Sequence, residues 1–284
     1  MKPLKILCCS FVFAASLPFP RGAISQDLAS THVTEADSEN FTVLSYQTGP
    51  SASKVLKLCE SLRDELNRVW GGKRPIGLWQ PRCEVVVHSS QASYLRIVGP
   101  SGGQTKGSSF IQIDAGKVIG RRIDLLFDSQ AGLTALPHEL SHVVLADRFH
   151  GCQVPHWLDE GIAMLADTHH KQLLHARDCH DAIVSRTTFR IHDLLKLEQF
   201  TSAEQMPAFY GQSLSLIRML VVDEAPEKIV DFGIDAIQIG YPAALRKHYA
   251  IHDVDELERR WAAFEARSPS ANGNAPIVLV SFHP

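Results

Sequence analysis

His138-Glu139-Leu140-Ser141-His142 forms an H-E-x-x-H run, a spacing that suits metal chemistry. On a helix, side chains four residues apart project from one face, so both imidazoles can reach one ion. Glu139 is offset by one position, near enough to take a proton from water on that ion without ligating it. The flanking residues Leu136, Leu140, Val143, Val144 and Leu145 are apolar, which predicts a buried helix rather than a surface one. Ionisable groups on such a helix need partners, and a metal supplies them.

A catalytic zinc ion takes three protein ligands and leaves a fourth position open. The arrangement H-E-x-x-H-x-x-G-x-x-H requires a glycine where this chain has Leu145 and a histidine where it has Arg148, and is excluded. A glutamate from a following helix is the other arrangement. The segment Pro155-His156-Trp157-Leu158-Asp159-Glu160-Gly161-Ile162-Ala163 offers Glu160. His156, four residues earlier on the same helical face, is a rival third ligand. His150, His169, His170, His175 and His180 read as solvated or supporting groups, and Asp159 as a carboxylate favoured near a helix start.

H-E-x-x-H followed by P-x-W-L-x-E-G-I-A resembles the glutamate-zincin metallopeptidases, in particular the peptidase-MA-like family. The resemblance covers residues 83–265. It includes Phe209-Tyr210-Gly211-Gln212-Ser213 at the opening of an apolar helix, and the later Ala244-Leu245-Arg246, Tyr249, Leu257-Glu258 and Trp261. It implies a thermolysin-like catalytic core in which one Zn²⁺ is held by His138, His142 and Glu160. It also implies Glu139 as general base and a peptide or protein as substrate. The residue chemistry agrees, because zinc-activated water and a carboxylate suffice to attack an amide and protonate its leaving amine. Tyr210 is a candidate hydrogen-bond donor to the developing oxyanion; the other reading of Tyr210 is an aromatic packed above Leu214 and Ile217. Thermolysin-like cores carry an aspartate that orients a zinc-bound histidine where this chain has Met164. Asp147 and Asp167 are both candidate substitutes. No G-A-M-E-N signature for a free N-terminus is present.

The elements that must position these groups follow from periodicity. Strands are predicted at 41–47, 83–88, 110–114 and 118–127, the last two joined as a hairpin through Asp114-Ala115-Gly116. Helices are predicted from Ser51 to Gly71 and at 91–98, and then at 131–147, 156–167, 169–185, 207–222, 226–238, 242–249 and 253–267. The expected fold class is α+β, a small twisted β-sheet packed on the zinc-binding active-site helix and followed by an all-helical C-terminal lobe. The expected division is a signal peptide at 1–25, a linker at 26–40, a mixed α/β part at 41–130, the helical metallopeptidase part at 131–267 and a tail at 268–284.

The signal peptide rests on Lys2 and Lys5 before the apolar run Ile6 to Leu17, which is too short to span a bilayer. Small residues after that run place the mature N-terminus at 23–28, hence an exported, periplasmic or secreted protein with no stable membrane span. The net charge of -3 over 284 residues becomes more negative once Lys2, Lys5 and Arg21 leave. That charge gives nucleic acid no basic field to bind. Cys59, Cys83, Cys152 and Cys179 remain, permitting the disulfides Cys59–Cys83 and Cys152–Cys179 or four buried thiols. Two readings from other classes stay open: a non-catalytic zinc-fold binding module, and a zinc hydrolase of a non-peptide amide.

Overall fold

The computed structural model describes residues 33–46, 49–71 and 77–267, together with the backbone of 11–13. The rest of the expected signal peptide, the start of the expected linker and the 268–284 tail lie outside the described residues. Two compact units are present, one formed by residues 1–65 and 76–152, the other by 66–75 and 153–284.

Among its described residues the first unit carries a β-sheet and three α-helices. Its elements are β1 (Phe11–Phe13), β2 (Val33–Asp37), β3 (Phe41–Tyr46), α1 (Ala52–Gly71, which runs on into the second unit), β4 (Cys83–His88), α2 (Gln91–Val98), β5 (Gly107–Asp114), β6 (Lys117–Leu126) and α3 (Leu136–Arg148). The strand order is β1-β5-β6-β4-β3-β2. The crossover through α1 makes β3 and β4 parallel, β4 is parallel to β6, and β5 and β6 form the antiparallel hairpin. One sheet face is apolar, with Phe41, Val43, Val85, Val87, Ile123 and Leu125 all fully buried. Helix α3 packs on β5 and β6.

The other sheet face holds a buried ionic network. Register sets Glu84 beside Arg122 and Val86 beside Asp124. Arg122 donates from Nε and Nη2 to the two Asp124 carboxylate oxygens at 2.7 and 2.8 Å, and from Nη1 to Glu84 at 3.2 Å. His88 Nε2 donates to Asp124 Oδ1 at 2.7 Å. Burial on its own would raise the Asp124 pKa, but the hydrogen bonds from Arg122 and His88 outweigh it and hold the carboxyl below its ordinary value.

The second unit is helical. Its helices are α4 (His156–Leu165), α5 (His169–Ser185), α6 (Ile191–Leu194), α7 (Met206–Val221), α8 (Glu227–Ile239), α9 (Tyr241–Tyr249) and α10 (Val254–Arg267). Helix α7 is its centre, with 13 of its residues buried, among them Phe209, Leu214, Leu216 and Ile217. It packs against α4 and α5, and Trp261 of α10 donates to Ser215 Oγ on α7 at 2.9 Å. Trp157 Nε1 donates to the Tyr241 hydroxyl at 2.9 Å, and that hydroxyl donates to the Leu195 carbonyl at 3.2 Å. One chain of hydrogen bonds thus ties α4 and α9 to the segment after α6.

The fold class is the expected α+β, with a helical C-terminal part, and four local expectations differ. Residues 33–37, expected as linker, are a strand paired antiparallel to β3. Helix α3 begins at Leu136 rather than 131. The Asp128 carboxylate accepts from Gln130 N and Ala131 N, and Asp128 and Gly132 exchange backbone hydrogen bonds, which closes a turn there instead. The four-residue helix α6 was not predicted. Cys59, Cys83, Cys152 and Cys179 are free thiols, so neither expected disulfide is formed. Cys59 and Cys83 are buried, and burial pushes the Cys59 thiol up to about 12 and the Cys83 thiol well above its ordinary value.

Because the Asp124 pKa is depressed, its contribution to stability is present above the unfolded value, about 3.9, and is lost as pH falls through the folded one. Asp124→Asn should destabilise the protein at pH 7 by about 3–5 kcal/mol, as for a broken buried pair, read from urea unfolding. Below about pH 4 the gap to wild type should narrow. An equal gap at both pH values would show that Asp124 does not act through its charge.

Candidate metal centre

Helix α3 carries two imidazoles and a carboxylate in an apolar setting. His138, Glu139 and His142 are 1, 2 and 1% exposed, beside fully buried Leu136, Leu140, Val143, Val144 and Leu145. The helix opens with Pro137 in its first turn, where a missing N–H leaves no helical hydrogen bond unmade. Ser141, which faces the same apolar surroundings, donates its hydroxyl to the Pro137 carbonyl at 2.8 Å. The His138 and His142 rings meet edge to face at a centroid distance of 4.9 Å, so the structure brings these two predicted ligands together.

Glu139 is set by the strand beneath it. A Cβ on Gly107, the first residue of β5, would lie 2.7 Å from Glu139 Cγ and 2.8 Å from Ala135 Cβ. Only a residue without a side chain lets the strand approach α3 this closely. No residue pattern marks Gly107 in advance, because the contact depends on packing between elements far apart in the chain.

In the second unit, α4 starts after Pro155 and is buried over most of its length. Glu160 is fully buried and Asp159 is 6% exposed. A Cβ on the following Gly161 would stand 2.5 Å from Ile217 Cγ1 and 2.9 Å from the Ser213 carbonyl, so α4 and α7 come nearly into backbone contact beside Glu160. His156, the rival ligand, lies one turn before Glu160 with Nε2 4.0 Å from Oε1. Its ring packs on Phe209 at 4.5 Å. Tyr210 is 4% exposed and sits among Phe209, Phe200 and His175 at ring distances of 5.4, 6.1 and 6.1 Å.

The two candidate substitutes for the aspartate missing at Met164 have different partners. Asp147, at the end of α3, pairs with Arg121. Asp167, just after α4, accepts from Lys171 Nζ at 2.9 Å and lies 4.0 Å from His175 Nε2. His175, read from the sequence as a solvated or supporting group, is buried between an aspartate and the Tyr210 ring. Burial excludes the solvated alternative for His175.

No protein-family model matches this chain, and no curated protein matches its sequence.

Gly107→Ala should destabilise the protein by about 1–3 kcal/mol, the usual result of overpacking, because neither Ala135 nor the Glu139 stem can yield without moving α3. Guanidinium unfolding measures this directly. An unchanged midpoint would mean that the close approach of β5 does not set the position of Glu139.

Proposed function

We propose that this chain is a zinc-dependent metallopeptidase of the glutamate-zincin type, in which His138, His142 and Glu160 hold one catalytic ion. One observation carries the reading: His138 and His142 stand with their rings 4.9 Å apart on one buried apolar helix beside Glu139, and the P-x-W-L-x-E-G-I-A segment offers buried Glu160 as the third ligand. Two imidazoles and a carboxylate are a donor set of known catalytic zinc sites, with one position left for substrate or water.

Bound there, zinc would lower the pKa of water to about 7 and polarise a carbonyl oxygen. Glu139, adjacent in sequence to one ligand but outside the ligand group, accepts the proton of the attacking water on a carboxylate oxygen. It then delivers that proton to the amine nitrogen as the peptide bond breaks. Burial of Glu139 among apolar residues keeps bulk water from competing for the proton. Tyr210 is assigned the hydrogen bond to the carbonyl oxygen as negative charge develops on it. The reading includes export, on the strength of Lys2, Lys5 and the apolar run behind them.

Metal analysis paired with hydrolysis of casein and a peptide library tests the proposal. His138→Ala and His142→Ala should lose stoichiometric zinc, and Glu160→Ala should hold it weakly. Glu139→Gln should keep zinc and fold while losing about 10⁴-fold in turnover, the upper end for a general acid–base group. Tyr210→Phe should keep zinc and lose about 10²–10³-fold; full activity would leave Tyr210 a packing residue. Full zinc in Glu160→Ala together with loss in His156→Ala would move the third ligand to His156. Zinc without turnover on any peptide would favour a binding module, and a fully active Glu139→Gln would overturn the mechanism.

A further inference from the structure

A cavity of about 660 Å³ opens in the second unit where the C-terminal ends of α7 and α9 meet α10. Its volume is within the usual range for ligand pockets, about 300–1,000 Å³. The apolar wall is Met219 and Leu220 from α7, Ile251 just after α9, and Phe264 from α10. Tyr249, at the end of α9, also lines it, and its hydroxyl is buried with no hydrogen-bond partner among the described residues. A buried hydroxyl calls for an acceptor. Two carboxylates of the wall already have cations: Glu256 accepts from Arg260 at 2.6 Å, and Glu224 pairs with Lys228 at 2.6 Å.

The chain itself leads out of this cavity. Arg267, the last residue of α10 and the last one described, is among the lining residues. Beyond the nine residues 268–276 comes the apolar run Ile277-Val278-Leu279-Val280-Ser281-Phe282. Nine extended residues span about 30 Å, and Pro269, Asn272, Gly273, Asn274 and Pro276 are residue types that favour reversal of the chain. Residues 268–284 contain no Lys, Arg, Asp or Glu. An uncharged apolar segment thus starts within reach of an apolar wall and brings no charge to be desolvated there.

We propose that this cavity is the docking site of the chain's own C-terminal segment, residues 277–282. In an extended segment Val278, Val280 and Phe282 fall on one side, and Ile277 and Leu279 on the other. Placing either side against Met219, Leu220, Ile251 and Phe264 removes apolar surface of both partners from water. The backbone carbonyls of the segment supply the acceptor that the Tyr249 hydroxyl lacks. Docking joins α10 to the end of α7, the helix whose opposite end carries Phe209 and Tyr210. It is independent of the chemistry proposed for the metal centre.

Hydrogen–deuterium exchange of the full chain, read by mass spectrometry beside a synthetic peptide of residues 268–284, tests the docking. Amides of 277–282 should exchange at least about tenfold more slowly in the protein than in the peptide, at a rate independent of protein concentration. Leu279→Asp combined with Phe282→Asp puts one charge on each side of the segment and should restore the exchange rate of the peptide. Ala263→Glu, at an exposed lining position of α10, should do the same from the cavity side. Val222→Asp, at a lining position 38% exposed, carries that arm if Ala263→Glu fails to fold. Peptide-like exchange in the wild type would overturn the docking. Protection that survives both cavity variants would put the segment elsewhere and overturn this site. Protection that rises with protein concentration would give the segment to a second copy of the chain and overturn docking within one chain.

Discussion

The constraint that orders the first unit is the burial of two imidazoles and a carboxylate on one apolar helix. Leaving such groups dry and uncompensated costs several kcal/mol each, so α3 is tolerable only if its ionisable face is matched by something equally polar. The surrounding structure is fitted to that face. Pro137 opens the helix at the one turn that needs no N–H, Ser141 satisfies its own hydroxyl within the helix, and β5 begins with a glycine under Glu139. The antiparallel partner of that strand, β6, turns its other face to Arg122 and Asp124. There Asp124 accepts hydrogen bonds from both Arg122 and His88 in a separate ionic network.

The second unit solves a similar problem differently. Glu160 is carried by a short helix whose next residue, Gly161, lets α7 approach almost to backbone contact. The aromatic side chains at the start of α7 then gather around His156, one turn from Glu160. A buried carboxylate and an aromatic cluster follow from a single helix packing.

Much of the candidate centre was legible because its signals are local. H-E-x-x-H is read within one helical turn and a half, and P-x-W-L-x-E-G-I-A within one short helix. What escaped was set by contacts across the chain or by weak patterning. Strand β2 is Val-Thr-Glu-Ala-Asp, a mostly exposed strand whose outward residues give no apolar alternation. The first turn expected of α3 was replaced by a turn capped by Asp128, a competition between a side chain and the helix that periodicity does not weigh. The His88–Asp124–Arg122 network joins residues of β4 and β6, neighbours only through sheet register. Gly107 reads as one more glycine until the strand is laid on α3. The cysteine count suggested bridges, but it carries no geometry, and the thiols are free.

The central claim is the identity of the ligands around one ion, and zinc K-edge X-ray absorption of the purified full chain tests it most directly. The account predicts one zinc per chain with two imidazole nitrogens and a carboxylate oxygen at about 2.0–2.2 Å, plus one further light-atom ligand. A sulfur shell at about 2.3 Å, or a wild-type protein that takes up no zinc, would contradict it.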